Sequence, residues 1–320
     1  FSGIFYRRSA SSPETAAFFR MAYALPILLL AVWFERRERR GGSATSRRSI
    51  YLTVGAGVLF AVDIIFWHRA VDAVGAGLAT VLGNLQVVIV GVGAWLLFGE
   101  RPSARAFVAL PIVLVGIVLI SGVLTQNSYG ADPALGAALG IIAAFAYAFY
   151  LLIIRQVGRR RAAEPLAIST TSTAVVCLIA GFGLGTMDLV PSWPAHLWLV
   201  LLALSAQSAG YLFIGLSLPR LPSVVTSIIL LAQPVLSVLF AVLLIGETPS
   251  VGQFAGVAGQ VGSDLAQVVR ALLVGERFPG RERGMCGGNG GMGILDARLR
   301  GLANQFAGPG RIMERHGPAT

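Results

Sequence analysis

Asp63 sits in the middle of the apolar stretch Phe60-Ala61-Val62-Asp63-Ile64-Ile65-Phe66-Trp67-His68. An ionisable side chain at the centre of a bilayer costs roughly 2.5–3.5 kcal/mol on insertion scales, so a carboxyl kept there needs a use. In a poorly hydrated interior it can exchange a proton near neutral pH or bind an amine while ionised. The alternative is a carboxyl hydrogen-bonded to a neighbouring helix for packing. Trp67, at i+4, shares Asp63's helical face and either walls a cavity or anchors the interface. His68 is rotated from Asp63 by roughly 140°. It is therefore either a proton relay or, nearer the outer surface, part of a solvated cluster with Arg69 and Asp72 at i,i+3 and i,i+4 spacing.

Other polar side chains interrupt apolar runs. Asn84, Gln86 and Gln233 are amides, able both to donate and to accept hydrogen bonds to a polar or zwitterionic solute, or else to bind one helix to the next. Tyr147 and Tyr150 are three apart, Gln207 and Tyr211 four apart, so each pair shares a helix face. An aromatic lining carrying a few polar groups suits a small-molecule cavity, although tyrosine also serves at ordinary helix contacts. Arg20 is read first as a side chain that snorkels to the outer interface, and second as a partner for a substrate carboxylate. Cys177 and Cys286 differ too much in setting to imply a disulfide or a metal site. Metal-ligand clusters, H-E-x-x-H, G-x-S-x-G and Walker-type loops are absent from the sequence, which argues against an enzyme and names no cofactor.

The elements that carry these residues follow from composition. Hydrophobic residues make up 55% of the 320-residue chain and charged residues only 12%, with mean hydropathy +0.75. That is far more apolar surface than a soluble domain can use. Runs of about 20 apolar residues, each enough for one helical crossing, follow one another with short polar breaks. Helices are expected at 15–34, 50–71, 74–98, 104–124, 134–157, 165–186, 195–218, 223–245 and 251–270, after an incomplete first span ending at Arg7-Arg8. The net charge of +10 comes from arginines gathered in the breaks and the tail, which points to anionic lipid headgroups and away from nucleic acid.

Gly99-Glu100-Arg101-Pro102-Ser103 closes one apolar run, and Gly246-Glu247-Thr248-Pro249-Ser250 closes another 147 positions later; the same offset relates Gln86 to Gln233. Two halves of five crossings each would lie inverted in the membrane, as in secondary transporters. Arginine content alternates accordingly. The breaks at 35–49, 99–104, 158–164 and 219–222 carry it, whereas the counterpart of the first, Gly185 to His196, has none. The arginine-rich breaks and both termini are expected to be cytoplasmic. Arg7 and Arg8 are the contrary cluster.

Ala17-Phe18-Phe19-Arg20, the paired GE-x-PS endings and Gly140-Ile141-Ile142-Ala143-Ala144-Phe145-Ala146-Tyr147-Ala148 together resemble the drug/metabolite transporter superfamily, EamA type, over about residues 1–258. The resemblance implies an all-α polytopic membrane protein: a ten-helix bundle of two inverted five-helix repeats, here with its first span incomplete and its last disrupted. The expected repeats are 1–124 and 134–270. The implied activity is export or exchange of small metabolites such as amino acids, by alternating access, across a bacterial inner membrane. The partners are a small-molecule solute and the lipid bilayer, with a homodimer compatible and no nucleic acid. A non-transporting relic and an integral membrane enzyme are the competing readings.

From Gly259 the pattern fails, and the chain turns Arg- and Gly-rich up to Thr320. A shifted reading frame accounts for such a tail, and 275–320 is expected to be disordered or weakly helical. Gly288-Asn289-Gly290-Gly291-Met292-Gly293 fits G-x-G-x-x-G, but without a preceding strand it carries no nucleotide-binding expectation.

Overall fold

The computed structural model describes residues 2–38, 46–98, 115–116, 118–119, 130–157, 163–211, 236–259 and 262. Gln233, the Gly99 to Ser103 ending, nearly all of the expected 104–124 span and the 275–320 tail lie outside the described residues. The described residues are all helix and connecting turn. Their elements are α1 (Ser2–Ser9), α2 (Pro13–Glu38), α3 (Arg47–Val74), α4 (Ala76–Gly83), α5 (Gln86–Phe98), α6 (Pro133–Val157), α7 (Ala163–Gly183) and α8 (Trp193–Leu202). A π-helical segment follows at Ala203–Gly210, then α9 (Leu236–Ile245) and α10 (251–259). Among the described residues five stretches are long and apolar enough to cross a membrane: Pro13–Arg37, Arg47–Val74, Ala76–Leu97, Pro133–Val157 and Ala163–Gly183.

Local chemistry sets the helix starts. Ser12 Oγ accepts the Thr15 amide (3.2 Å) just before Pro13, whose fixed φ and missing N–H suit a first helical position. Asp132 repeats the device ahead of Pro133, accepting the Leu135 amide (2.9 Å), and Ser46 caps α3 through the Ser49 amide.

Two expectations are corrected along the chain. The expected 74–98 helix is two helices: the backbone turns at Asn84 and Leu85, whose amides bond three residues back to Val81 and Leu82. The expected 195–218 helix leaves α-geometry at Ala203 for the wider π-helix. Gly83 immediately precedes the first break and Gly210 ends the π segment, and glycine holds an α-helix less firmly than any other residue but proline.

α3 is the central helix, packed along α6 and α7, while α2 lies against α7 and the π segment. Small residues allow the approach. A Cβ on Gly57 would stand 2.5 Å from the Ser169 carbonyl, so α3 and α7 can meet there only at glycine. Thr173 Oγ1 donates to the Gly57 carbonyl (2.8 Å) and Ser172 Oγ to that of Val54 (2.9 Å). These are the contacts expected between membrane helices, where apolar burial gives no preference for protein over lipid and close packing must hold the pair. Gly136 and Gly140 perform the same service for α6 against Val74 and Leu82.

The contacts sort the connections into two ends. Asp132 N bonds Ala73 O, and Asp188 N bonds Thr15 Oγ1. Ser12 Oγ donates to Thr186 O, and Arg7 reaches Glu247. One end of the bundle thus holds 7–15, 73–77, 130–133, 184–192 and 246–250. Arg36 and Glu164 pair at the other end (3.0 Å).

Candidate functional site

Four aromatic rings gather in the middle of the bundle. Phe60 on α3 stacks on Tyr150 of α6 (centroids 4.7 Å, 17°) and stands 5.9 Å from both Tyr147 and Tyr211. Tyr147 and Tyr150 stack on each other at 5.6 Å, so their three-residue spacing does place them on one face. Tyr211, at the end of the π segment, meets Tyr147 hydroxyl to hydroxyl at 2.9 Å. Phe60 is the ring that sequence reasoning missed. Its i+3 relation to Asp63 was visible, but an apolar residue in an apolar run carries no flag.

Asp63 and Arg20 face this aromatic group. The guanidinium of Arg20 lies in electrostatic range of Asp63, Tyr147, Tyr150 and Tyr211, yet the two charges do not close into an ion pair within 4.0 Å. Arg20 is only 6% exposed, between the fully buried Ala17, Met21 and Ala24 on its own helix. The outward snorkelling expected of it does not occur. α7 and the π segment cover the face of α2 from which it projects, leaving no apolar slope for the side chain to climb. Its buried Nε has no hydrogen-bond partner, an omission that costs about 1–3 kcal/mol. Asp63, Tyr147 and Tyr211 each retain some accessible surface although they lie within the bundle.

Gln207 is fully buried in the π segment. Its Nε2 donates to Thr170 Oγ1 (3.2 Å), while its Oε1 and the neighbouring Ser208 Oγ stay unpartnered. It therefore shares a helix with Tyr211 but not a partner. Asn84 stands at the α4–α5 break with its Nδ2 buried and unbonded. Gln86 opens α5, half-buried. Trp67 packs between α1 and α4, its ring against Gly3 and Gly83, so it seals helices together beside the aromatic group.

Of the solvated cluster expected of His68, Arg69 and Asp72, the structure withdraws His68 from solvent, while Asp72 stays exposed and Arg69 partly so. His68 is 0% exposed, stacked on Tyr6 of α1 at 4.0 Å and 9°, with Nδ1 3.1 Å from the Pro13 carbonyl. Nδ1 must donate to that carbonyl, which leaves Nε2 as the buried acceptor with no partner. Arg69 reaches across to Glu14 on α2 (2.6 Å), and Tyr6 donates to Asp72 (2.7 Å). Each partner comes from another helix, because α1 and the start of α2 lie against this end of α3 and cover His68. Thr186 Oγ1 also donates to Glu14 (2.9 Å), so the network ties α1, α2, α3 and the 184–192 loop together at one end.

Glu247 is the residue whose role the sequence least suggested. It is 0% exposed; Oε1 accepts the Ala76 amide (2.6 Å) and Oε2 that of Gly77 (3.1 Å). Arg7 completes its shell at 3.0 Å. A carboxylate thus caps the N-terminus of α4, where unpaired amides and the helix dipole favour negative charge. Two glycines make it feasible: Gly75 (φ 92°) turns the chain out of α3, and Gly246 (φ 67°) turns it ahead of Glu247. The same geometry accounts for the contrary arginines, since Arg7 is bound to Glu247 and Arg8 to the Leu244 carbonyl (3.1 Å). Arg7 is neutralised by the carboxylate, whereas Arg8 keeps its charge at the surface.

No group of three or more His, Cys, Asp or Glu side chains suited to a metal occurs among the described residues. The chain is 28% identical over 226 residues to "Uncharacterized protein PA1977" of Pseudomonas aeruginosa, covering 69% of this chain and 72% of that one. A crystal structure of a protein superposes with TM-score 0.61 at 17% identity, over 86% of this chain and 96% of that one, which speaks to the fold alone. A family model described as the EamA-like transporter family matches twice, at residues 1–122 and again at 134–263. With an all-helical fold, membrane-length apolar helices and this double match, the chain belongs to the EamA-like transporter family of the drug/metabolite transporter superfamily.

Proposed function

We propose that this protein is a secondary transporter of the bacterial inner membrane that moves small organic metabolites, such as amino acids or related compounds, by alternating access. The observation that carries the reading is the buried Arg20 and the half-buried Asp63, in electrostatic range of each other and of Tyr147, Tyr150 and Tyr211 without closing into an ion pair, between two interrupted helices. A packing role would have closed the charges into a pair and satisfied their hydrogen bonds; a solute site leaves them free for a visitor. Broken helices supply free backbone groups at depth only where these line a polar cavity or are covered by protein.

In this reading ten crossings form two inverted five-helix repeats, with both termini and the Arg36–Glu164 end cytoplasmic. Asp63, Tyr147, Tyr150, Gln207 and Tyr211 contact the solute, with Asn84, Gln86 and Gln233 converging on it from the two repeats. Trp67 bounds the site. Asp63 is the proton-coupling group. His68, sealed under α1, acts through the position of α3.

The test is export from cells overproducing the intact transporter, with the extracellular metabolites of matched cultures compared by mass spectrometry. A defined set of small polar metabolites rising outside the producing cells, and falling inside them, is expected. Identical profiles with the protein demonstrably in the membrane would remove the transport reading.

A further inference from the structure

The strongest unassigned observation is the state of Arg20. It is 6% exposed, its Nε has no partner, and among the described residues no carboxylate comes within 4.0 Å although Asp63 is in electrostatic range. Tyr150, in its electrostatic range, stacks nearly parallel on Phe60 at 4.7 Å and 17°, and the Tyr147–Tyr211 hydroxyl pair closes the group. A guanidinium presents a planar fork of donors that matches a carboxylate with two parallel hydrogen bonds. The stacked rings offer flat apolar surface to whatever the carboxylate is attached to.

Resting on the transporter reading above, we propose that Arg20 is the receptor for the carboxylate of a flat, largely apolar organic monoanion, and that Asp63 takes up one proton as that anion binds. The charge balance requires the second half. With the site empty, Arg20 and ionised Asp63 sum to zero. A bound carboxylate adds one negative charge in a poorly hydrated interior, where like charges at close range are strongly unfavourable. A proton from the bulk converts the Asp63 carboxylate to a neutral carboxylic acid, and the site again sums to zero with Arg20 on the ligand. Anion and proton therefore enter together, and leave together when the protein opens to the other side.

The groups around the two charges are consistent with Asp63 as the proton acceptor. Tyr147 and Tyr150 from α6 and Tyr211 after the π segment lie in Arg20's electrostatic range. His68 from α3 and Cys177 from α7 lie in Arg20's electrostatic range as well. Of these, the tyrosines and the thiol are neutral at physiological pH. His68 already spends Nδ1 on the Pro13 carbonyl, and its ring is stacked on Tyr6 away from the aromatic group. Asp63 is the one anion in the set.

The arrangement is lopsided with respect to the internal repeat. Positions 147 residues after Arg20 and Asp63 hold Ala167 and Gly210, so both charges come from the first half and all three tyrosines from the second. A solute spanning the site would hold the halves together by its headgroup on one and its flat body on the other.

The experiment is isothermal titration calorimetry on the full-length protein in detergent. The probes are phenylacetate and indole-3-acetate, with phenylacetamide as the neutral isostere and phenethylamine as the cation. Each titration is run in two buffers of different ionisation enthalpy. The two carboxylates should bind with uptake of about one proton, and at least about tenfold more tightly than the amide or the amine. Arg20→Gln should abolish this preference, Arg20→Lys should retain part of it, and Asp63→Asn should bind the carboxylates with no proton uptake.

Equal affinity for phenylacetamide, no carboxylate binding by monodisperse protein, an unaffected Arg20→Gln, or proton uptake persisting in Asp63→Asn would each overturn the proposal. Metabolite export by a protein that binds neither carboxylate would refute this inference and leave transport standing. Binding without export would do the reverse.

Discussion

Glu247→Ala is expected to destabilise the protein by about 3 kcal/mol, because it strips the acceptor from two backbone amides at the start of α4 and removes the carboxylate that Arg7 pairs with. A buried unsatisfied donor costs roughly 1–3 kcal/mol, and two are created here at a helix end that nothing else caps. Most of the loss should come from the amides. Arg7 is 38% exposed, so water can solvate it once the carboxylate is gone, and Arg7→Ala should cost less than about 1 kcal/mol. Glu247→Gln keeps one acceptor oxygen but turns an amide donor toward backbone N–H groups, and should fall between the two. Thermal unfolding in detergent reads all three. A Glu247→Ala protein as stable as the wild type would mean that α4 is held by its packing against α9, where Gly77 approaches Val238 and Ala241.

Asp63→Asn should reduce solute flux by roughly 10–100-fold, equivalent to about 1.4–2.7 kcal/mol of barrier, because it removes the group that carries the coupled proton, while leaving insertion and monodispersity intact. The isostere keeps the volume and some hydrogen-bonding capacity but cannot carry a proton. Fluxes in proteoliposomes, measured with and without a pH gradient, separate the two contributions, since the mutant should also lose its response to the gradient. Tyr147→Phe, which removes only the hydroxyl facing Tyr211, should be milder. An Asp63→Asn transporter with wild-type flux and wild-type pH response would make the carboxyl a structural group.

Much of this architecture is legible in the chain because membrane crossing imposes a length of apolar residues that is hard to mistake. The starts of α2 and α6 could be read within a few residues from Ser12-Pro13 and Asp132-Pro133, where cap and proline coincide. Asp63 announced itself, since a charge inside such a run has few innocent explanations. What stayed hidden depended on neighbours distant in sequence. Glu247 was visible as one of a repeated pair, but its partners Ala76 and Gly77 lie 171 and 170 positions away, and no local pattern reports such a contact.

Arg20 and His68 failed for a related reason. Helical rotation says which way a side chain points, and only the packing of α7, the π segment and α1 decides whether protein or solvent lies there. The break at Asn84 did have a signal, since Gly83-Asn84 is a common way to end a helix. The continuous apolar run on both sides concealed it.

The central claim is that the aromatic and charged group between the helices is a solute site opening to each side of the membrane in turn. Single cysteines at positions 147 and 211, in a background lacking Cys177 and Cys286, test it without knowledge of the solute. Right-side-out and inside-out vesicles are each exposed to a membrane-impermeant thiol reagent, and the labelled fraction is followed over time. Alternating access predicts labelling of both positions from both sides, slowed from both by saturating solute once one is known. Labelling from one side alone, or from neither in correctly folded protein, would contradict it and leave the tyrosines as ordinary packing between helices.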